Sequence, residues 1–155
     1  MSTPQAPALS FLTTLSVSVG MPLEVGPTAE GYRRVIPITG GTATGPELNG
    51  VIDPVGADFQ LLIDETTTHL EAKYVLKSDA GERLYITNWG IRTGSAEDIA
   101  RLVRGEAVDP ERIYFRCTPR LESPGPRWGW LAERILVGTG RRLQDRVEID
   151  VFVLE

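Results

Sequence analysis

The chain has one cysteine, Cys117, one histidine, His69, and two lysines, Lys73 and Lys77. A lone thiol excludes an intramolecular disulfide and suits a reducing compartment, so a cytoplasmic protein is expected. One histidine with one cysteine puts a zinc site of the usual ligands out of reach. The carboxylates lack the loop pattern that holds a hard cation, so no metal is expected. A serine triad would have to use His69, which follows the Thr66-Thr67-Thr68 run and reads as a solvated side chain. No phosphate-cradling glycine loop leads into a helix, and no cofactor is expected. Basic charge is also short: the formal net charge of -5 argues against nucleic acid as a partner, since phosphates need a basic face. The N-terminus has neither a basic leading segment nor a long apolar run, so neither a signal peptide nor a membrane partner is expected.

What is present suits one soluble domain over residues 1–155, with 1–8 disordered: 41% of residues are hydrophobic and 24% charged. Alternation of period two dominates. Phe11–Val19, Tyr32–Ile38, Leu48–Ile52, Ala57–Ile63, Ile113–Thr118 and Val147–Leu154 read as strands, and Trp128-Gly129-Trp130 reads as the start of a long strand running through Val137. Gly20–Gly31 reads as a long loop, Gly40-Gly41 as a turn, and Gly138–Arg142 as a turn into the last strand. Ser78-Asp79-Ala80-Gly81-Glu82 predicts a hairpin with a type I turn and a glycine bulge. If Ser78 faces Glu82, then Leu76 meets Leu84, Tyr74 meets Ile86 and Ala72 meets Asn88. Leu70, Ala72, Tyr74, Leu76, Leu84, Ile86 and Asn88 then share one face, away from Glu71, Lys73, Lys77, Arg83 and Thr87. The one clear helix starts at Ser95, with Asp98 completing a capping box and Gly105 as a stop. Together these predict a mainly β fold: a small closed antiparallel β-barrel of about eight to ten strands, with one short helix covering an end.

Several motifs carry a resemblance. Gly40-Gly41-Thr42, Gly45-Pro46, Gly50, Gly56-Ala57-Asp58, Tyr74 before Asp79-Ala80-Gly81, Asn88 and Gly90 fall between positions 40 and 90. Tyr114-Phe115-Arg116, Pro119, Trp130-Leu131 and Val137-Gly138-Thr139-Gly140 follow. In this set the chain resembles a family of short microbial proteins known only as a domain of unknown function. The resemblance spans nearly the whole sequence and implies a small antiparallel barrel with a central cavity. One position departs from the family pattern: Ala132 stands where an asparagine is expected.

Inside an apolar container, the side chains left for chemistry are Asp, Glu, Tyr, Arg and Asn. They suffice for cofactor-free proton transfer, with a carboxylate as base, a phenol as donor, and an arginine or amide holding an oxyanion. The expected catalytic pair is Asp58 and Tyr74. Arg34, Asn88 and Arg116 are the expected substrate binders, with Trp130 lining the cavity. An internal Asp58–Arg116 ion pair is the alternative use of those two charges. Two functions stay open. One is an isomerase, cyclase or lyase that enolises a small, partly apolar carbonyl compound; the other is a non-catalytic, lipocalin-like binding barrel. Phe59, Tyr85, Trp89 and Phe115 are expected on faces opposite the lumen, where they call for the cover of a homo-oligomer.

Overall fold

In the computed structural model, which describes residues 1–155, the hairpin around Ser78–Glu82 forms in the expected register. Leu76 pairs with Leu84, Tyr74 with Ile86, and Ala72 with Asn88. Gly81 takes φ +88°, and the Ser78 amide donates to the Glu82 carbonyl at 2.7 Å across the bulge. The inward set is as predicted: Leu76, Leu84 and Ile86 are fully buried, and Tyr74 and Asn88 lie beside them.

Ten strands follow in chain order: β1 (Leu9–Val19), β2 (Leu23–Thr28), β3 (Gly31–Thr44), β4 (Gly50–Ile52), β5 (Ala57–Leu62), β6 (Thr67–Ser78), β7 (Arg83–Thr93), β8 (Tyr114–Glu122), β9 (Leu136–Arg142) and β10 (Arg146–Leu154). All pairings are antiparallel. The sheet runs from β1 through β10, β9, β8, β7 and β6 to β3, and β3 pairs back onto β1, which closes the barrel. β4 and β5 share one position between β3 and β6: β5 pairs with the first half of β3 and β4 with the second. The barrel therefore has eight strand positions.

Three glycine-rich stretches differ from expectation. β3 passes unbroken through Gly40-Gly41, whose φ angles of +145° and +139° bend the strand rather than end it. A Cβ on Gly41 would lie 2.0 Å from the Ser16 carbonyl oxygen, so the β1–β3 seam needs that glycine. The expected loop over Gly20–Gly31 contains β2, an exposed strand on the edge of β3; Pro27 is tolerated there because an edge position needs no ladder donor. Gly138 and Gly140 lie inside β9, where their missing side chains leave room for Cys117 and Phe115.

Parity also shifts within β1. A bulge between Phe11 and Thr13 turns Leu12 inward and leaves Phe11 exposed beside Phe152, 5.7 Å between ring centroids. The segment read as a strand from Trp128 is helical instead. Pro126 opens a turn of helix, α2 (Pro126–Gly129), that runs into a 3₁₀ turn over Trp130–Glu133. Proline at a first helical position costs no hydrogen bond and presets φ, which outweighs the local β preference of the tryptophans.

The interior is graded along the barrel axis. At the hairpin end, Leu15, Leu48, Leu76, Leu84, Leu121 and Val151 pack around Trp128 and Leu131 from the α2 segment. At the opposite end lies the capped helix α1 (Ala96–Val103), where Ser95 Oγ accepts from the Asp98 amide and Ile99 and Leu102 are buried. Interior positions near α1 are polar: Arg34, Gln60, Thr68 and Arg92 are all buried. No helix is long and apolar enough to cross a membrane.

Candidate functional site

Between the leucine layer and the polar layer lies a cavity. Its walls are apolar, from Val17, Ile38, Leu70, Phe115 and Ile149, and its polar groups are Asp58, Tyr74, Asn88 and Cys117. The space open to the centre of a water molecule is about 40 Å³, room for roughly three waters. A larger occupant has to move side chains.

Register explains how these residues meet. Asp58 on β5 pairs with Ala72 on β6, which pairs with Asn88 on β7, so the three share one layer. Tyr74 is two residues along β6 on the same face. Sequence parity therefore fixes three of the expected site residues on one stretch of wall.

Their hydrogen bonding is incomplete. Gln60 Nε2 donates to Asp58 Oδ2 at 2.9 Å, while Asp58 Oδ1, Tyr74 Oη and Asn88 Oδ1 are sealed from solvent without a protein partner. Burial raises the Asp58 carboxyl above its ordinary value; the Gln60 hydrogen bond, the charge of Arg92, the nearby Glu71 backbone amide and the charge of Arg34 oppose this only in part. The Tyr74 phenol is pushed far up by burial, and by the nearby Cys117 and Asp58, so it stays protonated. Burial lifts the Cys117 thiol to about 11, opposed in part by the nearby Asn88 side chain, which makes it a poor nucleophile.

Arg34 also points inward. It is 4% exposed, its Nη1 donates to the Val103 carbonyl at the end of α1 at 3.2 Å, and the same nitrogen lies 3.8 Å from Glu24 Oε1. Two expected residues are elsewhere. Arg116 is on the outer face of β8, stacked 5.1 Å over the Tyr114 ring and donating to the Phe115 carbonyl at 2.9 Å. The β8 pattern alternates cleanly, but its inner set is Phe115 and Cys117 rather than Tyr114 and Arg116. The same parity moves Phe115 into the cavity wall, against its expected outer place; Phe59, Tyr85 and Trp89 are exposed as predicted. The alternative Asp58–Arg116 ion pair is thereby removed. Trp130 is 39% exposed, with its indole donating to the Arg127 carbonyl at 3.0 Å, because the helical turn at Pro126 carries it off the wall. Trp128 is the buried one, and its indole donates to Glu82 Oε1 at 3.2 Å.

Arg92 and Arg142 were not anticipated. The signal for Arg92 was in the sequence: the inward run Leu84, Ile86, Asn88 continues through Gly90 to Arg92 at the same spacing of two. Arg142 was hidden by reading Gly138 and Gly140 as a turn; as a strand, β9 carries the inward set Leu136, Gly138, Gly140, Arg142.

Comparison with known proteins bears on the fold and the family. A family model described as a protein of unknown function, DUF3237, matches residues 7–154. A UPF0311 protein of Rhodopseudomonas palustris is 42% identical over 141 residues, 91% of this chain and 92% of that protein. One from Bradyrhizobium diazoefficiens is 43% identical with the same coverage. The chain is similar to the crystal structure of a Rhodopseudomonas palustris protein of unknown function, with TM-score 0.93 and 40% identity over 99% of this chain and 100% of that one. It is also similar to a β-barrel-like protein of Acinetobacter baumannii, with TM-score 0.85 and 36% identity over the full length of both. A structure described as an enzyme from Penicillium herquei shares the fold at TM-score 0.73, with 16% identity over 100% of this chain and 99% of the other. With its relatives matched almost end to end and the barrel shared, the chain belongs to the DUF3237 family of proteins of unknown function.

Proposed function

We propose that the barrel is a cofactor-independent isomerase, cyclase or lyase that enolises a small, partly apolar carbonyl compound in its cavity. The observation that carries this reading is the set of sealed, unpartnered polar atoms on one apolar wall: Asp58 Oδ1, Tyr74 Oη and Asn88 Oδ1. A buried polar atom without a partner costs about 1–3 kcal/mol. A barrel that only stores a ligand has no need of a carboxylate in that state, and would do as well with its polar groups satisfied.

In this reading Asp58 removes the proton next to the substrate carbonyl. Its raised proton affinity makes it a stronger base than an exposed carboxylate, and Gln60 holds the second oxygen still. Tyr74, protonated and in the same wall, donates to the carbonyl oxygen as it becomes an enolate. The Asn88 amide orients the substrate by accepting from a hydroxyl. The proton held on Asp58 then returns at another carbon, giving an isomer. Alternatively, the enolate expels a β-substituent, or an internal hydroxyl adds to the conjugated product and closes a ring. The fold shared with the Penicillium herquei enzyme supports the view that such a barrel can house catalysis.

The test is deuterium wash-in from heavy water, followed by proton NMR over a panel of enolisable ketones, lactones and conjugated carbonyl compounds. Exchange should occur with the parent, fall at least about 100-fold in Asp58→Asn, and fall less in Tyr74→Phe. Exchange that survives Asp58→Asn unchanged would sink the assignment. Binding without exchange anywhere in the panel would favour the storage barrel.

A further inference from the structure

We propose that the α1 end of the cavity is a subsite for an anionic oxygen, so that the compound held there carries a carboxylate, which Arg92 grips with help from Arg34 and Arg142. The proposal rests on the reading of the cavity as the substrate's seat, but not on proton transfer.

Arg92 carries the argument. It is 2% exposed, its guanidinium makes no hydrogen bond, and its Nε and Nη1 are sealed without partners. It forms no ion pair, and its guanidinium carbon lies over the face of Phe115, 5.8 Å from the ring centroid. An uncompensated buried cation is costly, and folds normally pair it. Here the nearby charges make matters worse. Burial lowers the Arg92 proton affinity to about 10; Asp58 works against this, and Arg142 and Arg34 add to it by like-charge repulsion. Three guanidinium groups thus crowd one another, with Asp58 as the carboxylate that eases the charge on Arg92.

The other two arginines are held from behind, which leaves their charge available. Arg34 is tied to the end of α1 through the Val103 carbonyl, with its Nε unpartnered, and the half-exposed Glu24 offsets it only at 3.8 Å. Arg142 donates to the carbonyls of Leu143 and Arg146 at 2.6 and 3.1 Å. Gly90 connects the cluster to the cavity. It lies between Asn88 and Arg92 on the inner face of β7 and lines the cavity, so Arg92 is the next inward side chain beyond the cavity wall. Phe115, beneath Arg92, lines the same cavity. A carboxylate at Arg92 therefore places the rest of a small molecule among Asp58, Asn88 and Tyr74. The planar fork of an arginine matches a carboxylate in two parallel hydrogen bonds.

The experiment uses the full chain and three probes, 2-oxobutanoate, levulinate and benzoate, each against its own methyl ester, by calorimetry in chloride-free buffer. At least one acid should bind in the millimolar range or tighter, and roughly 10- to 100-fold better than its ester. Arg92→Gln should erase that preference, Arg92→Lys should keep part of it, and the outward Arg116→Gln should leave it intact. Without ligand, Arg92→Met should melt at the same temperature as the parent or higher, whereas a purely structural cation would show a large fall. Equal binding of acid and ester, an acid preference that survives Arg92→Gln, or no acid binding at all overturns the subsite. Deuterium exchange on the bound acids separates the two ideas. Arg92-dependent acid preference without exchange leaves the subsite and removes proton transfer. Exchange without acid preference does the reverse.

Discussion

Gln60 Nε2 donates to Asp58 Oδ2 at 2.9 Å from two residues along the same strand, while Asp58 Oδ1 stays sealed and unpartnered. The hydrogen bond favours the carboxylate and burial favours the acid; burial prevails, so the proton affinity is raised. Replacing Gln60 with Leu removes the opposing influence. The acid limb of kcat/KM against pH should then move to higher pH, with the plateau rate changed by no more than a few-fold. Damage to the fold alone would scale the whole profile without moving the limb.

Asp58 also leaves a mark on stability that needs no substrate. In the unfolded chain it ionises near the ordinary value of 3.8; in the folded chain it holds its proton to higher pH. Between those points the folded state binds more protons than the unfolded state, so this group makes stability fall as pH rises, then level off above the folded value. The slope inside the window approaches about 1.4 kcal/mol per pH unit. Urea unfolding of the parent and of Asp58→Asn across the acid range checks this. The advantage of the Asn variant should grow with pH through the window and then stay constant.

How far this site was legible depends on parity. The 69–89 hairpin segregates charged from apolar residues so sharply that its register, and with it Tyr74 and Asn88, follows from sequence. β8 does not, because Tyr114-Arg116 and Phe115-Cys117 are both plausible inner sets. What settles the matter is the pair of glycines across the strand gap: Gly138 is opposite Cys117 in the β8–β9 pairing, and a Cβ on Gly140 would meet the Phe115 ring. Sequence reads those glycines as a turn because nothing local shows that a neighbouring side chain needs their space. The arginine cluster went unseen for a related reason, since Arg34, Arg92 and Arg142 are scattered over the chain and only barrel closure gathers them. In Trp128-Gly129-Trp130 the error is local: Pro126 sets a helical turn where aromatic content suggests a strand.

That turn separates the two tryptophans in energy. Trp128 is 3% exposed, packs into the leucine layer, and donates to Glu82, which also accepts from Ser78 at 2.9 Å at the hairpin tip. Trp128→Ala should cost about 3–5 kcal/mol through cavity formation and the lost hydrogen bond. Trp130→Ala, at an exposed position, should stay within about 1 kcal/mol of the parent. Equilibrium denaturation of both measures the difference, and a larger loss for Trp130 would contradict the placement of this segment.

Gly140 should control the cavity from behind its wall. A Cβ there would lie 2.7 Å from three atoms of the Phe115 ring, closer than any carbon contact can be, so Gly140→Ala has to push that ring towards the cavity and disturb its contact with Arg92. The strain should cost about 1–3 kcal/mol, as overpacking does. Gly81→Ala is the natural comparison, because its φ of +88° strains the hairpin turn by about 1 kcal/mol with nothing nearby to displace and no route to the cavity. Both variants should lose stability, but only Gly140→Ala should weaken binding of a ligand that the parent accepts. Adding Phe115→Leu should return much of the stability lost in Gly140→Ala, since a smaller side chain gives the new methyl room. A double-mutant cycle with no coupling between positions 140 and 115 would mean that the wall yields elsewhere, and that Gly140 does not set the size of the cavity.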